Sequence, residues 1–164
     1  LPLNASAWWD DTLVIRLRGA QAAVETATQQ LGGERLDNRT AATFWTGLRD
    51  QQDEFFLSAQ KAVAGGAALW RLSVPDTATP LDLSGEQLIE WGGAQRWLCT
   101  STPAHQLREA AAKAGGHATL FMGHDKRAGV FAPLSAPLER IHRELKRAFD
   151  PEGVFNVGRM YGGW

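Results

Sequence analysis

Few side chains in this sequence are suited to chemistry, and their surroundings narrow what that chemistry would be. Imidazole is the side chain that titrates near neutral pH, and four are present: His105, His117, His124 and His142. His117 follows Gly115-Gly116 and opens the apolar stretch Ala118-Thr119-Leu120-Phe121. It enters a strand there, where an imidazole suits a base that takes the proton of a substrate hydroxyl. A lone histidine is more often structural, and the other three have no supporting context. Arg71 and Arg96 both fall inside strand-like segments. The plain role for each is a solvated or ion-paired face. The sharper role is a planar fork that grips a carboxylate through two parallel hydrogen bonds, which lysine cannot reproduce. Near the end, Asn156, Gly158 and Arg159 place two polar side chains around a residue that lets backbone approach a ligand closely. On their own they read as an exposed tail. No metal site is expected. The one cysteine, Cys99, allows neither an internal disulfide nor a cysteine-rich cluster, and the histidine spacing suggests no zinc. Cys99 reads as a small buried hydrophobe.

The elements that must position these groups follow from periodicity. Thr12-Leu13-Val14-Ile15-Arg16-Leu17-Arg18 alternates like a strand, and Ala20, Val24, Ala27 and Leu31 then recur at helical spacing until Gly32-Gly33. A second helix, capped by Thr40, carries Phe44, Trp45 and Leu48, and Ala59 to Ala67 reads as an Ala- and Gly-rich loop. Ala68-Leu69-Trp70-Arg71-Leu72-Ser73-Val74 is a strand closed by Pro75. Gln87 to Trp91, Gly92-Gly93 and Ala94 to Cys99 form a hairpin. Ser101 or Thr102 caps a helix with Leu107, Ala111 and Ala114 on one side. His117 to Phe121 is a short strand. Ser135 opens a last helix with Leu138, Ile141, Leu145 and Phe149 on one face, and Asp150-Pro151-Glu152-Gly153 turns out of it. This order predicts an α+β domain: a ferredoxin-like, largely antiparallel sheet with helices on one face.

Composition sets limits on function. The chain has 164 residues, 44% hydrophobic and 21% charged, with a formal net charge of -1. Nothing in that balance attracts nucleic acid. No apolar run reaches the roughly 20 residues that cross a bilayer as a helix.

Three stretches carry a resemblance. Phe149-Asp150-Pro151-Glu152-Gly153-Val154-Phe155-Asn156-Val157-Gly158-Arg159-Met160-Tyr161 resembles the closing motif of the vanillyl-alcohol-oxidase type FAD-linked oxidases, where an Asp-Pro turn leads to Asn-Pro-Gly and a basic residue. Val157 stands where that family usually has proline. The others are Gly85-Glu86-Gln87-Leu88-Ile89-Glu90-Trp91-Gly92-Gly93-Ala94-Gln95-Arg96-Trp97-Leu98, and Ala114-Gly115-Gly116-His117-Ala118-Thr119 with Phe131-Ala132-Pro133-Leu134-Ser135-Ala136-Pro137-Leu138 downstream. Together they are similar to the FAD-binding subunits of bacterial glycolate oxidases, from about the first strand to Tyr161.

The resemblance implies an FAD enzyme that oxidises glycolate or D-lactate to the 2-oxo acid. Electrons would pass on through partners, among them catalytic flavoprotein and iron–sulfur subunits. Residues 1–164 would be a C-terminal substrate-capping domain, with Asn156, Gly158 and Arg159 at the flavin. The FAD-binding domain would precede it: Leu1-Pro2-Leu3-Asn4 reads like the middle of a longer protein, and no glycine pair follows the dinucleotide-binding pattern. The location implied is cytoplasmic, with any membrane association through partner subunits. The alternative is a docking subunit that assembles with a separate catalytic flavoprotein and performs no redox step.

Side-chain alternation adds a geometric expectation. Arg16, Arg71, Arg96 and His117 should gather on one sheet face, opposite the helices, as the lid of a site for a small 2-hydroxy acid.

Overall fold

The computed structural model describes residues 1–162. Gly163, half of the glycine pair in the tail, and Trp164 lie outside the described residues. Six strands form one antiparallel sheet: β1 (Leu3–Trp9), β2 (Thr12–Leu17), β3 (Ala68–Ser73), β4 (Glu86–Glu90), β5 (Gln95–Thr100) and β6 (His117–Met122), in the order β2-β1-β4-β5-β3-β6. Five α-helices accompany them: α1 (Gln21–Leu31), α2 (Asn38–Asp50), α3 (Glu54–Ala64), α4 (Ala104–Lys113) and α5 (Ala136–Phe149). The α+β class and the antiparallel sheet are those the sequence implies.

The expectation of one helical face describes α2 and α3. Their Leu48, Phe55, Phe56 and Ala59 pack with Leu69, Leu88, Trp97 and Cys99. Leu107 and Ala111 of α4 pack on the other face, with Trp70, Leu72, Leu98, Ala118 and Leu120. Topology explains the division. Pairing makes β2 parallel to β3 and β5 parallel to β6, with the first pair running opposite to the second. Both crossovers step the same way along the sheet. Right-handed crossovers that start from opposed strands must then pass over opposite faces.

Four local readings are corrected. Pro103, not Ser101 or Thr102, is the N-cap of α4, and no side chain caps that helix. Leu3–Trp9 is a strand, and it forms a hairpin with β2 through Asp10 and Asp11, both at positive φ. The Ala-rich stretch from Ala59 is the second half of α3, because Asp53 caps that helix through the Phe56 amide. The cap of α2 is Asp37, whose carboxylate accepts from the Arg39 and Thr40 amides, and Thr40 lies in the first turn. The remaining elements lie where periodicity puts them, including the β4–β5 hairpin, which closes through one tight turn at Trp91–Gly93.

Candidate functional site

Register decides which side chains meet. Residues paired across a sheet share a face, with Cβ atoms roughly 5 Å apart. Ser73 pairs with Gln95 on one side and His117 on the other, and Gln95 pairs with Glu90. The row Glu90–Gln95–Ser73–His117 therefore crosses four strands. The next row on the same face is Leu88–Trp97–Arg71–Thr119. Helices α2 and α3 cover this face towards Leu69 and Cys99, and the polar end is left open, with Arg71, Ser73 and His117 exposed.

Arg71 and His117 are thus brought onto one face, as expected, but it is the face that α2 and α3 cover and not one opposite the helices, because α4 packs on the other side of the sheet. Arg71 makes no hydrogen bond or ion pair among the described residues. The residue preceding His117 fixes its approach. A Cβ on Gly116 would stand 2.0 Å from the Ser73 carbonyl oxygen, so only glycine lets β6 begin this close to β3. Glu90, Gln95 and Ser73 were not singled out in the sequence. Glu90 is tied into the face, its Oε2 accepting from Trp97 Nε1 at 2.7 Å and Gln95 Nε2 at 3.2 Å. Pairing across the Gly92-Gly93 hairpin would have revealed the Glu90–Gln95 pair.

Arg96 is not part of this face, and Arg16 lies on it only at the far edge strand, away from Arg71 and His117. Arg96 pairs with Leu72 and Ile89, so its side chain emerges on the opposite face, and Arg16 lies on the edge strand β2, with its guanidinium over the Trp45 ring. The shared-face expectation therefore fails for Arg96 and holds for Arg16, which pairs with Ala5 on the side of Ala7 and Glu90 but stands at the far edge of the sheet. Alternation gives the two sides of each strand, but only register links the sides of different strands. Arg96 is 5% exposed, and its fork is occupied. Nε donates to Gly93 O at 3.1 Å, Nη1 to Thr79 O at 2.9 Å and Nη2 to Ala78 O at 2.7 Å. It braces the loop between β3 and β4. Desolvation pulls its guanidinium pKa down, and no carboxylate among the described residues pairs with it.

Arg96 also lines a cleft of about 880 Å³ beside Trp8 and Trp9. Asp10, Asp11, Glu54, Asp76 and Glu86 line the same cleft. Five carboxylates around one engaged guanidinium repel an anion. The open polar end with an unengaged Arg71 is the better place for a carboxylate ligand.

The chain is 48% identical over 161 residues to glycolate oxidase subunit GlcE of Escherichia coli (strain K12). The resemblance to a glycolate oxidase subunit runs through nearly the whole chain. It covers 98% of this chain and 42% of that relative, so the chain spans less than half the relative's length. No family model matches, and no solved structure matches.

The tail was tested for fit to a flavin. Asn156 and Arg159 are exposed, and their side chains make no hydrogen bond among the described residues. Gly158 has φ 68° with open space where a Cβ would point. Two free polar groups and an approachable backbone fit one edge of a flat cofactor. The pyrophosphate is another matter. Gly32 and Gly65 cap the C-terminal ends of α1 and α3, and Gly115 follows α4. Helix C-termini carry partial negative charge, whereas phosphates bind at N-termini. Cys99 is buried, and desolvation first, then the charge of Glu86, raise its thiol pKa, so it is inert packing. No group of His, Cys, Asp and Glu among the described residues could hold a metal ion.

Proposed function

We propose that this chain is the C-terminal, substrate-capping domain of a flavin-dependent 2-hydroxy-acid dehydrogenase subunit. The intact protein oxidises glycolate or D-lactate to the 2-oxo acid, and a preceding domain holds most of the FAD. The observation that carries the proposal is the unengaged guanidinium of Arg71 near His117 at the open polar end of the sheet face that α2 and α3 otherwise cover. The 48% identity to a glycolate oxidase subunit supports it.

FAD, when bound, would supply the acceptor for the hydride that leaves the substrate Cα. This domain's residues do the rest. Arg71 grips the substrate carboxylate with its fork. His117, two residues along the same face, takes the hydroxyl proton at an imidazole nitrogen. Ser73 and Gln95 supply hydrogen bonds between them, and Glu90 fixes Gln95. Asn156, the Gly158 backbone and Arg159 would hold one edge of the flavin. Arg96 keeps the β3–β4 loop in place from the opposite face. The catalytic flavoprotein and iron–sulfur partners named by the resemblance receive the electrons. The enzyme is cytoplasmic and reaches a membrane only through those partners. Among the described residues, no helix is long and apolar enough to cross one.

Replacing Arg71 by Lys in the full-length protein tests the assignment. Loss of the bidentate fork should lower kcat/KM for glycolate about 100-fold, some 2.7 kcal/mol, with bound flavin retained. His117→Gln should lower kcat by about 100-fold or more and remove the acidic limb of the pH–rate profile. Undiminished turnover in both variants would leave the redox step to a separate partner subunit.

A further inference from the structure

We infer that α5 and the turn behind it form a preorganised docking surface for a second folded domain of the same polypeptide. The inference rests on the reading above that this chain is one domain of a longer subunit. Leu138, Ile141, Leu145 and Phe149 recur at i, i+3, i+7 and i+11, the spacing of a buried helical stripe. Here they are between 48% and 80% exposed. The more covered positions are polar: Glu139, His142, Arg143 and Lys146. The helix thus turns its apolar side away from its own domain. Val154 and Phe155, just beyond it, are exposed as well. Contiguous apolar surface on this scale marks an interaction site.

The surface is shaped before any partner arrives. The carboxylate of Asp150 is buried and accepts from the Val154 amide at 3.0 Å and the Phe155 amide at 2.9 Å. It also pairs with the Lys146 ammonium, which donates to the Phe155 carbonyl at 2.6 Å. The turn is therefore locked onto the helix through Asp150 and Lys146, and Val154 and Phe155 are held at its C-terminal end. Further on, the Tyr161 hydroxyl donates to the Ala132 carbonyl at 3.1 Å, and its ring meets that of Phe131. Both ends of the segment are anchored to what lies before it.

Three observations choose the occupant. A membrane surface would need a helix with a free basic face. Instead Arg143, Lys146 and Arg147 are ion-paired with Glu139, Asp150 and Glu144, which leaves Arg140 as the one Lys or Arg side chain of α5 without an ion pair among the described residues. A hook projecting from a helix also fits a concave protein surface better than a flat bilayer. The similar subunit extends well beyond the matched part, which is 42% of its length. A polypeptide of that length carries enough additional chain to form the covering domain. Docking of the stripe would bring Asn156 and Arg159, immediately after the hook, against that same domain.

The test compares the full-length protein with its Ile141→Glu/Leu145→Glu variant, with Ile141→Leu/Leu145→Met as the conservative control. Hydrogen exchange is followed peptide by peptide. In the parent and the control, residues 136–160 should be protected and the protein should be monomeric when purified alone. In the glutamate variant, exchange of residues 136–160 should rise at least 10-fold while β3 to β6 stay unchanged. Free exchange of residues 136–160 in the parent would overturn the inference. So would a parent dimer that the variant splits into monomers, or parent sedimentation with phosphatidylglycerol vesicles that the variant abolishes. Flavin absorbance separates the two readings. A protein that binds FAD but leaves α5 unprotected loses the docking inference only. A protein that protects α5 but binds no flavin and oxidises no 2-hydroxy acid loses the functional reading only.

Discussion

The sheet body and the terminal arm of this molecule solve the same problem in opposite ways. Both are rich in large apolar side chains. In the body, Phe55, Phe56, Leu69, Leu72 and Leu107 are fully buried between sheet and helices. In the arm, Leu138, Ile141, Leu145, Phe149, Val154 and Phe155 are all exposed. The body's polar groups are kept to one open end of a face and to the bracing of a loop. Two of the arm's polar groups, Asp150 and Lys146, instead sit inside and hold its shape. An apolar residue count alone would not separate the two. What separates them is whether the opposing surface lies within the chain.

That contrast predicts a large difference in mutational cost. Phe56→Ala removes a side chain that packs edge-on against both Phe55 and Trp97. It should cost about 3–5 kcal/mol in urea unfolding of the chain. Phe149→Ala should change stability by less than about 0.5 kcal/mol, since the ring loses no burial. Equal losses at the two positions would mean that the arm is packed after all.

A second, smaller contrast lies within the body. Arg71 and Arg96 stand on neighbouring strands and differ in what they touch. Arg96→Met leaves three backbone carbonyls without their donor, two of them in the β3–β4 loop. It should cost about 2–3 kcal/mol. Arg71→Met should leave the unfolding midpoint almost where it was, within about 0.5 kcal/mol. If Arg71 proved the more costly of the two, its guanidinium would be structural, and the assignment of the carboxylate clamp would fall.

The two arginines also show how far the sequence could be read. Each strand's two sides follow from alternation, so Arg71 and Ser73 were placed together correctly, as were His117 and Thr119. Arg96 was joined to the wrong set because alternation carries no information on register, and the pairing Leu72–Arg96 puts it on the other face. The strand at Leu3–Trp9 was missed because Asn4, Ala5 and Ser6 dilute its apolar alternation. Its stability comes from pairing with β2 and β4, which is tertiary. The second half of α3 was hidden by its alanines and the glycines that end it, although the cap at Asp53 was there to read. The stripe of α5 was fully legible. That it faces outward was not, because a periodic pattern shows which side of a helix is apolar and does not show what covers it.

The smallest expected effect is local and concerns how the arm holds its shape. The Lys146 ammonium, followed by the Phe155 and Val154 amides, stabilises the charged carboxylate of Asp150 and holds its pKa at about 2, against an ordinary value of 3.8. A carboxyl whose folded value is depressed contributes stability that is fully present above the unfolded value. That contribution is lost as pH falls through the folded one. The hook should therefore be intact above about pH 4, loosen between about 4 and 2, and open below that. The sheet body has no comparable dependence on Asp150, since the carboxylate's partners all lie in the arm. The amide resonances of Val154 and Phe155 should shift with a midpoint near 2 while those of β3 and β6 stay in place. Asp150→Asn should abolish that titration, because a neutral amide no longer balances the Lys146 charge. Its Val154 and Phe155 amides should resonate at neutral pH where those of the parent chain do in acid. A midpoint near 4 would show that the ammonium and the amides do not hold the carboxylate in solution. Coincident loss of the β3 and β6 signals would show that hook and body unfold as one unit, and the division between a self-covered body and an independent arm would not stand.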